Sequence, residues 1–208
     1  MSLSQNQFNL YLLRHGKTKG KPALNGHKDV VVDDSIQNAI AHRVLEQYSF
    51  SKVYASPLIR CQRVAELVTG LNPTLKLVIE PRLKEQSFGD FDGVPFDDLT
   101  HEWKKLEQFW ANPAQNTLLN AEPLQVGYER VTEAWEQIVQ HCEQDTLIVS
   151  HGGPIRFILA HVLGLDWQNP QLYTSLSIDN QSITHIQISK FAGKVFFSVK
   201  AIGIPLIY

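Results

Sequence analysis

Arg14-His15-Gly16 directly follows an apolar run from Phe8 to Leu13, and His151-Gly152-Gly153 directly follows a second run from Thr146 to Ser150. Two histidines therefore end two strands of buried character. In open α/β sheets ligands bind just outside the carboxyl ends of the strands, so both imidazoles are delivered to one edge. Arg60 follows a short strand predicted at 52–55, and Glu85 follows a third at 75–79. Two guanidiniums, Arg14 and Arg60, can hold phosphoryl oxygens with planar forks and stay charged at any working pH. Within such a cage a neutral imidazole is a competent nucleophile on phosphorus, because the neighbouring cations disfavour its protonated form. Glu85 is placed to supply a proton to a leaving alkoxide. The arginines and the second histidine then take the charge-stabilising role a metal would otherwise fill, so no metal or cofactor is expected. Helix starts at Ser56-Pro57, read as N-cap and first helical residue, and at Gly152-Gly153-Pro154 are expected to add backbone N–H groups that favour an anion.

The elements that must position these groups follow from periodicity. A polar loop over 17–34 leads to a helix from about Ser35, with Ile36, Ala39, Ile40, Val44 and Tyr48 at helical spacing. The helix after Pro57 carries Val64, Ala65 and Val68 on one face. Leu99, Trp103, Leu106 and Trp110 describe one apolar helix stripe inside an excursion, and Val131, Ala134, Trp135, Ile138 and Cys142 describe a further helix. After the 146–150 strand, Ile155, Ile158, Leu159 and Val162 form another helix face. Two runs, 183–188 and 195–199, flank Lys190-Phe191-Ala192-Gly193-Lys194 and suggest a terminal hairpin at the sheet edge. Alternating strands and helices imply right-handed βαβ units. The expected fold is thus a single α/β domain over 1–208, a three-layer αβα sandwich on a mainly parallel sheet. Its helical insertion, about 94–142, is expected to lie as a lid over the active site.

Composition narrows the partners. The chain has 208 residues, 43% hydrophobic and 19% charged, as in an ordinary globule with a sizeable core. Nineteen basic against twenty-one acidic residues give a net charge of −2, without the basic footprint of a nucleic-acid binder. The start, Met1 to Gln7, lacks a basic segment followed by an apolar one, and no stretch approaches a membrane span. Cys61 and Cys142 are too few for a disulfide framework and lack metal-site spacing, which points to a reducing, cytoplasmic setting. Oligomeric state is not legible.

Taken together, Arg14-His15-Gly16, the 56–60 segment Ser-Pro-Leu-Ile-Arg, the 83–93 segment from Leu83 through Glu85 to Gly93, and Ser150-His151-Gly152-Gly153 resemble the histidine phosphatase superfamily of phosphoglycerate mutase-like enzymes. Their order and spacing cover residues 8 to about 164. The resemblance implies His15 as the phosphorylated nucleophile, Arg14, Arg60 and His151 as the phosphate pocket, and Glu85 as proton donor. The short stretch from Glu85 to Gly93 is similar to the phosphatase branch, with α-ribazole phosphatases as relatives, since mutases carry a longer motif there. Lys17 replaces the family's usual glutamate and Lys21 a frequent asparagine, for which Asn25 is a candidate substitute. The expected activity is therefore a metal-independent phosphomonoesterase acting on a small phosphorylated metabolite through a phosphohistidine. The alternatives are a phosphomutase, and a non-catalytic module that binds phosphorylated proteins; against the latter, none of the four key positions is lost.

Other motifs fail on spacing. Gly16-Lys17-Thr18 lacks the upstream glycine of a P-loop, where Tyr11 stands. Asp90-Phe91-Asp92-Gly93-Val94 mimics an aspartate-nucleophile motif but follows a polar segment rather than a strand. Neither cysteine has an arginine six residues on: Leu67 follows Cys61 and Ile148 follows Cys142 at that distance. His27, His42, His101, His141, His161 and His185 show no ligand spacing, and the four tryptophans read as packing.

Overall fold

The computed structural model describes residues 6–206. The first five residues, on which the expectation of no leader partly rests, lie outside the described residues. The elements in chain order are β1 (Asn6–Arg14), α1 (Asp34–Gln47), β2 (Lys52–Ala55), α2 (Ile59–Leu71), β3 (Lys76–Ile79), α3 (Trp103–Ala111), α4 (Leu124–Gln140), β4 (Thr146–Ser150), α5 (Gly152–Leu163), the short α6 (Gln171–Thr174), β5 (Ser182–Phe191) and β6 (Lys194–Pro205). The six strands form one mixed sheet in the order β3-β2-β4-β1-β5-β6. Pairings among β1, β2, β3 and β4 are parallel, and those of β5 with β1 and β6 are antiparallel.

Side chains alternate across a strand, and β1 shows what that does. Leu10 and Leu12 pack with Trp135, Ile138, Ile155 and Ile158 of α4 and α5, while Tyr11 and Leu13 pack with Ile40, Val44, Val64 and Val68 of α1 and α2. A strand buried on both faces reads as a continuous apolar run, which is how β1 and β4 appear in the sequence. The terminal hairpin turns through Ala192 (φ 50°) and Gly193 (φ 75°), the two left-handed residues of a tight two-residue turn between Phe191 and Lys194.

Two local expectations are corrected. Ser56 does not cap α2, and Pro57 is not its first residue; the helix starts at Ile59, with Leu58 at the cap position. Its first turn is served by Asp29, whose Oδ1 accepts the Ile59 N–H at 2.7 Å. The insertion is also narrower than 94–142. α4 belongs to the main helical layer, with Val131, Ala134, Trp135 and Ile138 in the core of the sandwich. Only the stretch before it forms a separate cluster, of Phe91, Leu99, Leu106, Phe109 and Leu118, against which Leu24, Phe88, Phe96 and Trp110 pack. The stripe there is rotated about the helix axis: Leu99 and Leu106 are buried as expected, but Trp103 is 41% exposed and Phe109 joins the buried face.

The insertion is latched to the 17–34 loop by backbone bonds, Gly93 N–H to Leu24 O at 2.6 Å and Phe96 N–H to Pro22 O at 3.0 Å. Asp92 supports that loop as an acceptor: its carboxylate receives the N–H groups of Gly26, His27 and Lys28 at 2.8, 2.6 and 3.2 Å. The aspartate of the decoy motif thus holds a loop in shape.

Candidate active site

Register places the two histidines. Arg14 of β1 pairs with Ser150 of β4, so the next residues, His15 and His151, leave adjacent strands side by side. The His15 N–H still bonds Ser150 O at 3.2 Å, and the imidazole centroids lie 5.0 Å apart, edge to face.

His15 is buried, and its Nδ1 donates to Gly16 O at 2.7 Å. A carbonyl can only accept, so Nδ1 carries the proton and Nε2 of the neutral ring keeps its lone pair. Burial, and then the Arg60 charge, hold the imidazole well below the ordinary histidine pKa. The backbone behind it is pinned by Asn180, whose Nδ2 donates to His15 O at 3.0 Å and to Gly16 O at 3.4 Å.

His151 has the opposite tautomer. Arg60 Nε, a donor only, gives its proton to His151 Nδ1 at 3.2 Å, so the ring's N–H is on Nε2 and donates to Ser56 Oγ at 2.8 Å. Both ring nitrogens are engaged. Burial, followed by Arg60 and His15, keeps this histidine neutral as well. Arg60 is fully buried and donates to the carbonyls of Lys28 (3.0 Å), Asn25 (3.0 Å) and Gly26 (2.6 Å). Cys61 lies 3.4 Å from His151 Nε2, but burial raises its thiol far above the range of a useful nucleophile.

These groups border a cavity of about 540 Å³. Arg14, His15, Glu85 and Asn25 line it, whereas Arg60 and His151 stand one layer behind. Glu85 is held at the mouth of α5: its Oε2 accepts the Gly153 N–H at 3.3 Å and its Oε1 accepts the Gln86 N–H at 3.1 Å. A Cβ on Gly153 would overlap Glu85 Oε1, so a side chain there would push that carboxylate aside. The Gly153 amide expected to face an anion is therefore taken by Glu85. Asn25 bonds Thr18 Oγ1 at 3.3 Å.

Three residues that the sequence reading left out of the site have defined places here. Arg130 of α4 braces the Glu85 loop, donating to the carbonyls of Arg82 (2.5 Å), Lys84 (3.1 Å) and Glu85 (3.4 Å) while pairing with both Glu122 oxygens at 2.8 Å. His27, read as structural or solvated, donates from Nε2 to Glu85 O at 2.8 Å, a structural role. Nothing local in the sequence marks either. Arg156 lines the cavity from the first turns of α5. A signal for it existed: helical side chains lean toward the N-terminus, so an arginine four residues after Gly152 must lie over the strand end.

The outer cavity is aromatic. Phe88, Phe96, Phe109 and Trp110 form one wall and Phe157 and Tyr173 another, with Lys17 and Lys21 near the rim. Among the lining residues Glu85 is the only carboxylate.

Residues 10–196 match the sequence profile described as histidine phosphatase superfamily, branch 1. The chain is 27% identical over 184 residues to a putative phosphoserine phosphatase 2 of Hydrogenobacter thermophilus, covering 86% of this chain and 89% of that one. It is 29% identical over 205 residues to the adenosylcobalamin/alpha-ribazole phosphatase of Escherichia coli, covering 94% and 98%. The crystal structure of the alpha-ribazole phosphatase from Shigella flexneri superposes with a TM-score of 0.75 at 25% identity, covering 94% of this chain and 96% of that one.

Proposed function

The chain belongs to the histidine phosphatase superfamily, and on that premise we propose that it hydrolyses phosphate monoesters by way of a phosphohistidine on His15. The observation that carries this mechanism is the tautomer of His15: a buried neutral imidazole with Nδ1–H fixed on Gly16 O and Nε2 left as a lone pair at the cavity. Nε2 attacks phosphorus, the P–N bond forms, and the P–O bond to the alcohol breaks. Glu85 delivers its proton to the departing oxygen. The imidazolium so formed keeps its Nδ1–H on the Gly16 carbonyl, which stabilises the added charge. In the second half Glu85, now a carboxylate, takes a proton from water, whose oxygen displaces the imidazole from phosphorus and releases inorganic phosphate.

Arg14 is proposed to grip the phosphoryl oxygens directly. Arg60 and His151 complete the pocket from behind in this reading, Arg60 by turning from the carbonyls of the 25–28 loop toward the anion. The fixed positive charge of Arg14 and Arg60 in a poorly solvated site stabilises the charge that develops on the phosphoryl group, while neutral His151 holds Arg60 Nε. Because that stabilisation is assigned to guanidiniums, purified enzyme in excess EDTA is expected to keep full activity and to be inhibited by orthovanadate. Activity lost in chelator and restored by Mg²⁺ or Zn²⁺ would overturn the metal-free assignment.

The aromatic outer cavity supports a substrate whose alcohol has an apolar, planar body, since such walls favour buried carbon surface. Trp110→Ala is expected to raise KM about 10-fold for aryl and naphthyl phosphates and to leave glycerol phosphates unchanged, a loss of one aromatic contact. Equal effects on both sets would remove Trp110 from the substrate contact. We place the enzyme in the cytoplasm on account of its two free, buried thiols, Cys61 and Cys142. Among the described residues no helix is long and apolar enough to cross a membrane.

A further inference from the structure

We propose that Arg156 is a further guanidinium ligand of the phosphoryl group, binding the same oxygens as Arg14. The proposal rests on the reading of this site as a phosphate pocket.

Four observations carry it. The first is convergence at Gly152: a Cβ there would lie 2.9 Å from Arg156 Nη1 and 3.4 Å from Arg14 Cζ, so the two guanidiniums flank one small volume that glycine leaves open. The second is orientation. Arg156 donates from Nε and Nη2 to Leu176 O at 3.2 and 2.8 Å, and Arg14 donates from Nη1 to Ile178 O at 2.5 Å. Carbonyls two residues apart on one segment thus aim both arginines, and a fork fixed at two nitrogens loses little freedom when the third binds.

The third observation is what remains unpaired. Arg14 Nε is buried with no hydrogen-bond partner, and among the described residues Arg156 Nη1 makes no hydrogen bond and Arg156 forms no ion pair. The buried, unpaired Arg14 Nε is costly to leave without an acceptor, Arg156 Nη1 is open to the cavity, and a phosphate dianion offers enough acceptor oxygens for both. The fourth is charge. Burial lowers the pKa of Arg156 and of Arg14; the Glu85 carboxylate opposes this at both, and the Arg14 charge adds to the lowering at Arg156. Burial of two guanidiniums with only partial compensation from Glu85 carries a cost that a doubly charged anion between them offsets.

The experiment measures anion binding separately from turnover. Wild type, Arg156→Gln, Arg156→Ala and Arg156→Lys are titrated with orthovanadate and inorganic phosphate by calorimetry, and their kinetics are taken on p-nitrophenyl phosphate and on esters with and without a second acid group. Thermal melts monitor the fold. Loss of a charge-assisted bond is expected to weaken both anions about 10- to 100-fold in the Gln and Ala variants, with partial recovery in Lys. The kcat/KM should fall by a similar factor on every ester, whatever its leaving group. Unchanged anion affinity with a lowered Tm would overturn the proposal and make Arg156 a strut for Leu176. Loss confined to esters with a second acid group would overturn it in favour of a separate anion subsite. A wild type that binds phosphate without hydrolysing esters would reject the phosphatase mechanism while leaving the Arg156 comparison intact; one that binds neither anion would reject the pocket and the proposal together.

Discussion

His15→Ala protein is expected to fold and to lose turnover by on the order of 10⁴–10⁶-fold, the scale on which removal of a covalent nucleophile is felt. Among the described residues the buried side chain makes one hydrogen bond, from Nδ1 to its neighbour's carbonyl, and one ring contact, to His151, so its loss removes little of what supports β1. Acid-labile, base-stable phosphate should be trapped on wild type and be absent from the variant. Retention of a substantial fraction of activity would reject the phosphohistidine. The same residue carries a pH signature. In the unfolded chain both imidazoles take up protons as pH falls through about 6.5, whereas in the fold burial holds His15 and His151 neutral well below that. Their contribution to stability is therefore complete above that value and is lost progressively on acidification. Urea midpoints should fall with pH below about 6.5 in wild type, and less steeply in His15→Ala, where one of the two groups is gone.

Glu85→Gln is expected to slow esters of alkyl alcohols by about 10²–10⁴-fold while sparing aryl phosphates, because an alkoxide needs a proton to leave and a nitrophenolate does not. The amide preserves the shape and an acceptor oxygen for the Gly153 N–H but gives up the acceptor used by the Gln86 N–H, a positioning loss that both substrate classes share, so proton transfer is read from the difference between them. A plot of rate against leaving-group pKa should steepen in the variant. Equal losses on both classes would assign Glu85 to positioning. No loss on either would return the role of acid to another group. Asp92 is a poor replacement, since its oxygens already accept the backbone N–H groups of Gly26, His27, Lys28 and Phe88; Asp90 faces Asn120 at 3.1 and 3.2 Å.

Much of the frame was legible because it is written in local pattern. β2 and β4 occupy the strand runs read from the sequence, and the hairpin turn falls on Ala192-Gly193 as its composition indicates. Trp103 shows the limit. Helical spacing assigned it to the buried stripe, yet periodicity cannot say which of two adjacent faces a small satellite cluster will cover. The lid boundary failed for a related reason. The amphipathic face of α4 looks the same whether it covers the sheet or a cavity, and only its packing with Trp135 and Ile138 into the main core distinguishes the two.

At the site, the sequence by itself determined that His15 and His151 would end buried strands at one edge of the sheet, because strand length, alternation and the rule for parallel sheets are local or topological properties, whereas the adjacency of β1 and β4 came from the fold. The sequence also brought Arg14, Arg60 and Glu85 to the same edge. What only the tertiary structure decided is which atoms face the ligand. His151 has both nitrogens occupied by Ser56 and Arg60, Arg60 lies behind the cavity on the carbonyls of residues 25–28, and Arg156 stands in front on Leu176 O. Tautomers and guanidinium directions depend on which carbonyls lie within hydrogen-bond reach. Those carbonyls belong to loops far away in the chain, brought close by packing that no local pattern encodes.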